Sequence, residues 1–185
     1  MADHDPALAA TQRARRKEEM IRVDHAGERG AVAIYAGQRA IFERGRSTHQ
    51  IAAQTAEMEA GEKVHLQAFD SMIRDGKARP TALMPIWDAA GFALGAATAL
   101  LGEKAAHACT EAVENVIEEH YAAQLAELGD SDPELSAQLT EFRNDELAHR
   151  DFARENGAAE APAYPLLTGV IKLGCRTAIA LSQKF

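Results

Sequence analysis

Two Glu-x-x-His tetrads occur in this chain, Glu62/His65 and Glu146/His149. Each follows a lone glutamate, Glu28 and Glu114 respectively, by nearly the same interval. The tetrapeptide alone is a weak signal in a glutamate-rich chain. Its placement is the stronger one. Met58, Glu62, His65, Phe69 and Met72 recur at steps of four and three, and so do Leu135, Leu139, Phe142, Glu146, His149 and Ala153. Residues at that spacing share one face of a helix. The lone glutamates behave alike: Glu28 shares a face with Ile21, Val32 and Tyr35, and Glu114 with Thr110, Ile117, Tyr121, Leu125 and Leu128. One helix pair is used twice, and its apolar stripes carry the acids.

A lone carboxylate in a bundle core costs several kcal/mol unless it is neutralised or paired. No Lys or Arg falls on these stripes to supply the charge. Two divalent cations would supply it, held by Glu28, Glu62, His65, Glu114, Glu146 and His149. That is the ligand pattern of a dinuclear site inside a four-helix bundle. The competing reading makes each glutamate a stripe-edge residue that reaches water. It accounts for any one of them but not for six residues in duplicated order.

The chain has 185 residues, a single-domain length, and is poor in aromatics at 5%. It is rich in alanine, which points to an all-α fold. The formal charge of −8 excludes a nonspecific nucleic-acid binder. Two cysteines, Cys109 and Cys175, are too few and too far apart for a disulfide framework or a Cys-x-x-Cys metal site. They read as free core thiols in a reducing compartment. No apolar signal run opens the chain. Asp3, His4 and Asp5 are followed by the basic cluster Arg13, Arg15, Arg16 and Lys17, either a solvated lead-in or a contact for anionic lipid.

Helices are expected at about 17–44, from the Ser47-Thr48 cap to about Asp75, from Gly102 to Gly129, and from Asp132-Pro133 to Asn156-Gly157. Pro162 and Pro165 should break the chain before a last helix at about 166–183. The connection at 77–101 is long and the other two are short. The expectation is a ferritin-like four-helix bundle with a long apolar crossover and an additional C-terminal helix. Residues 1–16 form a flexible lead-in and 17–185 one domain. Gly27, Gly30 and Gly37 each cost the first helix about 1 kcal/mol against alanine. They serve close helix packing or make room for a substrate beside Glu28.

Two segments suit a membrane surface. No charge interrupts Ala89–Leu101, which is too short to span a bilayer and so is either core or an interfacial insertion. The last helix sets Leu167, Val170, Ile171, Gly174, Ala178 and Leu181 against Lys172, Arg176 and Lys184. Such a basic amphipathic helix fits an anionic lipid surface or a fifth bundle position.

Carboxylate and imidazole donors without thiolate favour iron or manganese over copper. Longer motifs then add a resemblance. Arg22-Val-Asp-His-Ala-Gly-Glu28, Ile34-Tyr35-Ala-Gly-Gln38, Arg79 to Trp87, Gly91 to Gly102, Ala108 to Glu114, His120-Tyr121, Phe142-Arg143, Asp145 to His149 and Ala161 to Tyr164 occur in order. Together they resemble the 5-demethoxyubiquinone hydroxylase family over about residues 20–185. The resemblance implies a di-iron monooxygenase that hydroxylates a demethoxy-polyprenyl quinone precursor with dioxygen and NADH. All six ligand positions named above are filled. It also implies a peripheral place on the inner membrane. The lack of a visible transit peptide favours the cytoplasmic side of a bacterial membrane over the mitochondrial matrix. A homo-oligomer or a ubiquinone-biosynthesis complex is compatible with this, and the roles of His120 and Tyr121 stay open. Arg29 and Asn115 depart from the family pattern, where an aromatic and an acidic residue are common. The rival class is a ferritin-like ferroxidase or iron-binding bundle without an organic substrate. A dimanganese catalase or a lipid-binding scaffold would also fit parts of the pattern. A rubrerythrin-type peroxidase would need a cysteine-ligated iron that the chain does not provide.

Overall fold

A computed structural model describes residues 6–45 and 48–185. Every regular element among them is helical: α1 (Pro6–Phe42), α2 (His49–Arg74), α3 (Met84–Leu100), α4 (Glu103–Leu128), α5 (Pro133–Glu155), a 3-10 turn (Ala158–Glu160) and α6 (Tyr164–Ser182). Three expected boundaries fall close to the observed ones. Asp132 caps α5 by accepting a hydrogen bond from Leu135 N at 3.1 Å, with Pro133 in the first turn where its missing N–H costs nothing. Gly102 (φ 112°) and Gly129 (φ 49°) take the left-handed region at the two ends of α4.

Four expectations need correction. The first helix begins at Pro6 instead of about residue 17, so 6–16 belong to α1. The long crossover 77–101, in which no helix was expected, is mostly α3. Thr48 does not cap α2: its hydroxyl donates backwards, to Phe42 O and Gly45 O. Ser47, the other half of that expected cap, lies outside the described residues. So do Asp3, His4 and Asp5. Pro165 does not precede the last helix, which begins at Tyr164, but sits in the first turn of α6.

Helices α1 and α2 pack as one hairpin, α4 and α5 as another; α3 lies along α1, and α6 along α4. The fold is thus a four-helix core with one apolar helix following each hairpin. Glycine permits the α1–α3 approach. A Cβ on Gly95 would lie 1.9 Å from Ile34 O, and one on Gly37 would lie 2.2 Å from Phe92 O. No helix among the described residues is long and apolar enough to cross a membrane.

The core centres on Ile21, Phe69, Tyr121, Leu139 and Phe142, drawn from α1, α2, α4 and α5. These are the residues of the apolar stripes. Burying each large side chain contributes about 1.5–3 kcal/mol, which offsets the cost of the acids beside them.

Candidate metal centre

The four stripes meet at mid-bundle. Glu28 (α1), Glu62 (α2), Glu114 (α4) and Glu146 (α5) are each 1% exposed or less. Ligand atoms of Glu28, Glu62, His65 and Glu146 lie within 4.8 Å of one another, and those of Glu62, Glu114, Glu146 and His149 do the same. Glu62 and Glu146 belong to both groups. The structure therefore brings together all six residues named from sequence, in two quartets with two shared carboxylates.

Both imidazoles turn Nδ1 inward. His65 Nδ1 lies 3.2 Å from Glu146 Oε1 and 3.5 Å from Glu28 Oε2. His149 Nδ1 lies 3.0 Å from Glu62 Oε1 and 3.5 Å from Glu146 Oε2. The outer nitrogen of His65, Nε2, is 3.1 Å from Asp145 Oδ2. Two tyrosines complete the frame reciprocally. Tyr35 on α1 donates its hydroxyl to Glu114 Oε1 at 2.7 Å, and Tyr121 on α4 donates to Glu28 Oε1. Each tyrosine lies two turns along its helix from a glutamate, and each holds the other helix's glutamate. Each bond takes one carboxylate oxygen and leaves the other facing the centre.

The electrostatics show what that leaves. Burial raises Glu28 well above the ordinary carboxylate range, with Glu146 and Glu62 adding to it and His65 opposing. Burial likewise raises Glu114, reinforced by Glu146 and Glu62. Burial also opposes the charge on Glu62, but His149 and His65 beside it hold it down at about 2. His149 is raised to about 10: burial disfavours its charge, and Glu146 and Glu62 outweigh burial. His65 is raised further in the same way, by Glu146, Glu28 and Glu62. Burial and the adjacent carboxylates push both tyrosines up, so their hydroxyls stay protonated and donate. No Lys or Arg among the described residues pairs with the four acids, as the stripe pattern requires.

Beside Glu28 and Tyr121 lies a cavity of about 400 Å³ between α1, α3, α4 and α6. Its walls are mostly apolar, including Ile34, Trp87, Leu94, Val113 and Ile171. Gly27 and Gly30 line it, and a Cβ on either would meet nothing within 4 Å. The glycine question therefore divides: Gly37 lets α3 approach, whereas Gly27 and Gly30 leave open space beside the acids. At the polar end His120 Nε2 lies 3.3 Å from Asp24 Oδ1, which also accepts from Gln124 Nε2 at 2.8 Å. Burial raises Asp24, with His120 and Gln124 opposing. Cys175 is another lining residue; both cysteines are free, and burial pushes Cys109 to about 12 and Cys175 to about 11. These thiols stay protonated and act as packing groups.

The departures at Arg29 and Asn115 fall outside the quartets. Arg29 forms a two-pronged ion pair with Asp88 that ties α1 to α3, and Asn115 accepts from Arg154 at 3.4 Å. Sequence reasoning missed the role of Asp145, the reciprocal hold of Tyr35 and the Asp24–Gln124 pair. The seven-residue step from Glu28 to Tyr35, repeated from Glu114 to Tyr121, was the available signal for the tyrosines.

Two carboxylate–imidazole quartets sharing two glutamates, in the core of a helical bundle, make the arrangement of bundle proteins with paired metal positions. Comparison with known proteins narrows the class. Residues 15–182 match the family model described as ubiquinone biosynthesis protein COQ7. A Rhodospirillum rubrum protein named 3-demethoxyubiquinol 3-hydroxylase is 50% identical over 90% of this chain and 77% of its own length. The Homo sapiens mitochondrial NADPH-dependent 3-demethoxyubiquinone 3-hydroxylase is 46% identical over the same shares. The Saccharomyces cerevisiae mitochondrial 5-demethoxyubiquinone hydroxylase is 38% identical, again over 90% of this chain and 77% of its own. The chain belongs to the COQ7 family of ubiquinone-biosynthesis proteins.

Proposed function

We propose that this hydroxylase of ubiquinone biosynthesis is a di-iron monooxygenase. It hydroxylates the demethoxy ring position of a polyprenyl quinone precursor, with dioxygen as oxidant and a nicotinamide as reductant. NADH is the expected reductant; the human relative's name specifies NADPH dependence. The observation that carries the proposal is a set of orphaned atoms. Glu28 Oε2, both oxygens of Glu62 and of Glu146, Glu114 Oε2 and Nδ1 of His65 and His149 are buried without a hydrogen-bond partner. Such groups are costly unless something binds them. They are hard oxygen and borderline nitrogen donors, which suit iron.

In this reading Glu28 and His65 would hold one ion and Glu114 and His149 the other, with Glu62 and Glu146 common to both groups. Bound ferrous iron would supply the electrons that activate dioxygen, with the nicotinamide as their ultimate source. The protein's part is positional. Tyr35 and Tyr121 fix the orientation of Glu114 and Glu28, and Asp145 fixes His65. The cavity excludes water and admits the ring beside Glu28, with His120 and Asp24 as the polar groups nearest a ring oxygen.

The substrate's tail belongs to the bilayer, so the outer helices are proposed as a peripheral membrane-docking face on the cytoplasmic side of a bacterial inner membrane. Ile86, Phe92 and Leu100 on α3, and Leu166, Val170 and Leu173 on α6, are exposed, while Leu94 turns into the cavity. Anionic lipid would add about 1 kcal/mol for each nearby basic residue such as Lys172 or Lys184.

The test is anaerobic titration of the metal-free protein with ferrous iron, followed by turnover of a demethoxyquinone with dioxygen and NADH or NADPH. Two ions per chain and one hydroxylated product per reductant are expected. Full turnover in a protein without bound metal would sink the proposal. Loading both positions at about 100 times their dissociation constants should also raise Tm by roughly 5–10 °C per site.

A further inference from the structure

The duplicated half-motifs differ at the position that faces the opposite histidine. Asp145 stands immediately before Glu146, and Gly61 immediately before Glu62. Each faces the histidine of the opposite motif. Asp145 Oδ2 lies 3.1 Å from His65 Nε2. A Cβ on Gly61 would lie 3.7 Å from His149 Cε1 and Nε2. The place that carries a carboxylate on α5 is therefore bare on α2. The glutamates, the histidines and the reciprocal tyrosines on Glu28 and Glu114 recur in both halves.

The two imidazoles differ accordingly. The His65 side chain is 3% exposed and stacks on Phe142, with ring centroids 4.1 Å apart. The His149 side chain is 18% exposed and meets Tyr35 edge-on at 6.3 Å. Among the described residues, no carboxylate lies within ion-pair distance of His149 Nε2. A carboxylate on the outer nitrogen of an imidazole keeps the proton there, orients the ring and makes the inner nitrogen a stronger metal ligand. Removing such a partner typically costs about 10–100-fold in metal affinity.

We infer that the two metal positions are unequal. The one held by Glu28 and His65, beside the cavity, fills first and keeps its ion. The one held by Glu114 and His149 fills second and exchanges, because Gly61 supplies no partner for His149. Asp145 is the positioning residue of the tighter site. This rests on the metal-centre reading above.

Calorimetric titration of the metal-free full chain with Co(II), followed also by absorbance, tests it. The expected wild-type result is two steps of one ion each, separated by about 10–100-fold in Kd. Gly61→Asp should tighten the second step and narrow the gap. Asp145→Asn should weaken the first step by about 10–100-fold. Asp145 is 55% exposed, so this variant keeps the fold and decides the matter if Gly61→Asp does not fold. A single step of two equal ions in the wild type, or an Asp145→Asn variant with an unchanged first step, would overturn the inequivalence and leave the metal centre intact. No bound ion at all would overturn both.

Discussion

The four inner helices and the outer pair break the usual rule of burial in opposite directions. The inner helices bury four glutamates at 1% exposure or less, while the outer pair leaves Leu100 72% and Leu173 67% exposed. Charged residues are rarely buried unpaired, and exposed apolar patches of this kind mark binding surfaces. Neither departure helps the fold. The cavity joins them, since its walls come from α1 and α4 on one side and from α3 and α6 on the other. The contrast teaches that one cavity joins an exposed apolar layer to a buried acidic cluster.

Removing a shared acid should break the inner half of that comparison most completely. Glu62→Ala or Glu146→Ala takes a carboxylate from both quartets, so bound iron should fall well below two per chain and hydroxylation to background. Metal analysis with a product assay checks this. Wild-type turnover in either variant would remove that residue from the centre.

Disturbing the seam between the layers should have the next largest effect. Gly95→Ala places a methyl group where Ile34 O already stands, 1.9 Å away. The helices must separate, at a cost of about 1–3 kcal/mol or more. Denaturant unfolding should show that loss. Gly27→Ala, which faces open space, should instead be neutral or stabilising. Equal destabilisation by both would contradict the split between packing and cavity glycines.

Charging the outer face sharpens the comparison from the other side. Phe92→Asp with Leu173→Asp should weaken liposome binding by about tenfold or more, since each large apolar side chain contributes about 1.5–3 kcal/mol when fully buried. Turnover of a long-tailed quinone should fall with it, and that of a short-tailed analogue much less. An equal fall in both activities in a folded protein would reject the docking role.

The smallest effect expected is that of Tyr121→Phe. It keeps the ring and deletes one hydrogen bond to a carboxylate, a loss of about 1.5–3 kcal/mol at most when the acceptor is charged. A several-fold drop in metal affinity or single-turnover rate should follow, with unchanged packing. Matching loss in Tyr35→Phe would confirm that the reciprocal pair acts as a unit. No change in either would leave the two tyrosines as core residues only.

Much of the centre was legible before any coordinates. Glu28, Glu62, His65, Glu114, Glu146 and His149 lie on apolar stripes, and a helical stripe can point only one way once its apolar members are buried. The capping of α5 was equally local, because Asp132 and Leu135 are three residues apart. The other partnerships were not local. Asp145 reaches His65 across 80 positions, and Tyr35 reaches Glu114 across 79. Helix α3 was hidden for a different reason: a short charge-free run has no amphipathic period to reveal it, and only its contact with the small face of α1 shows the helix.

By itself, the sequence determined that helices form, which face of each is apolar, and that four acids and two imidazoles lie on those faces. These are properties of one chain segment at a time, set by side-chain period and local capping. Tertiary structure alone decided which helices become neighbours, that Glu62 and Glu146 are shared, that Gly27 borders space while Gly95 borders backbone, and that Asp145 has no counterpart at Gly61. The physical reason is range. Periodicity acts over a few residues, whereas hydrogen bonds, cavities and orphaned atoms depend on ångström distances between segments that only packing brings together.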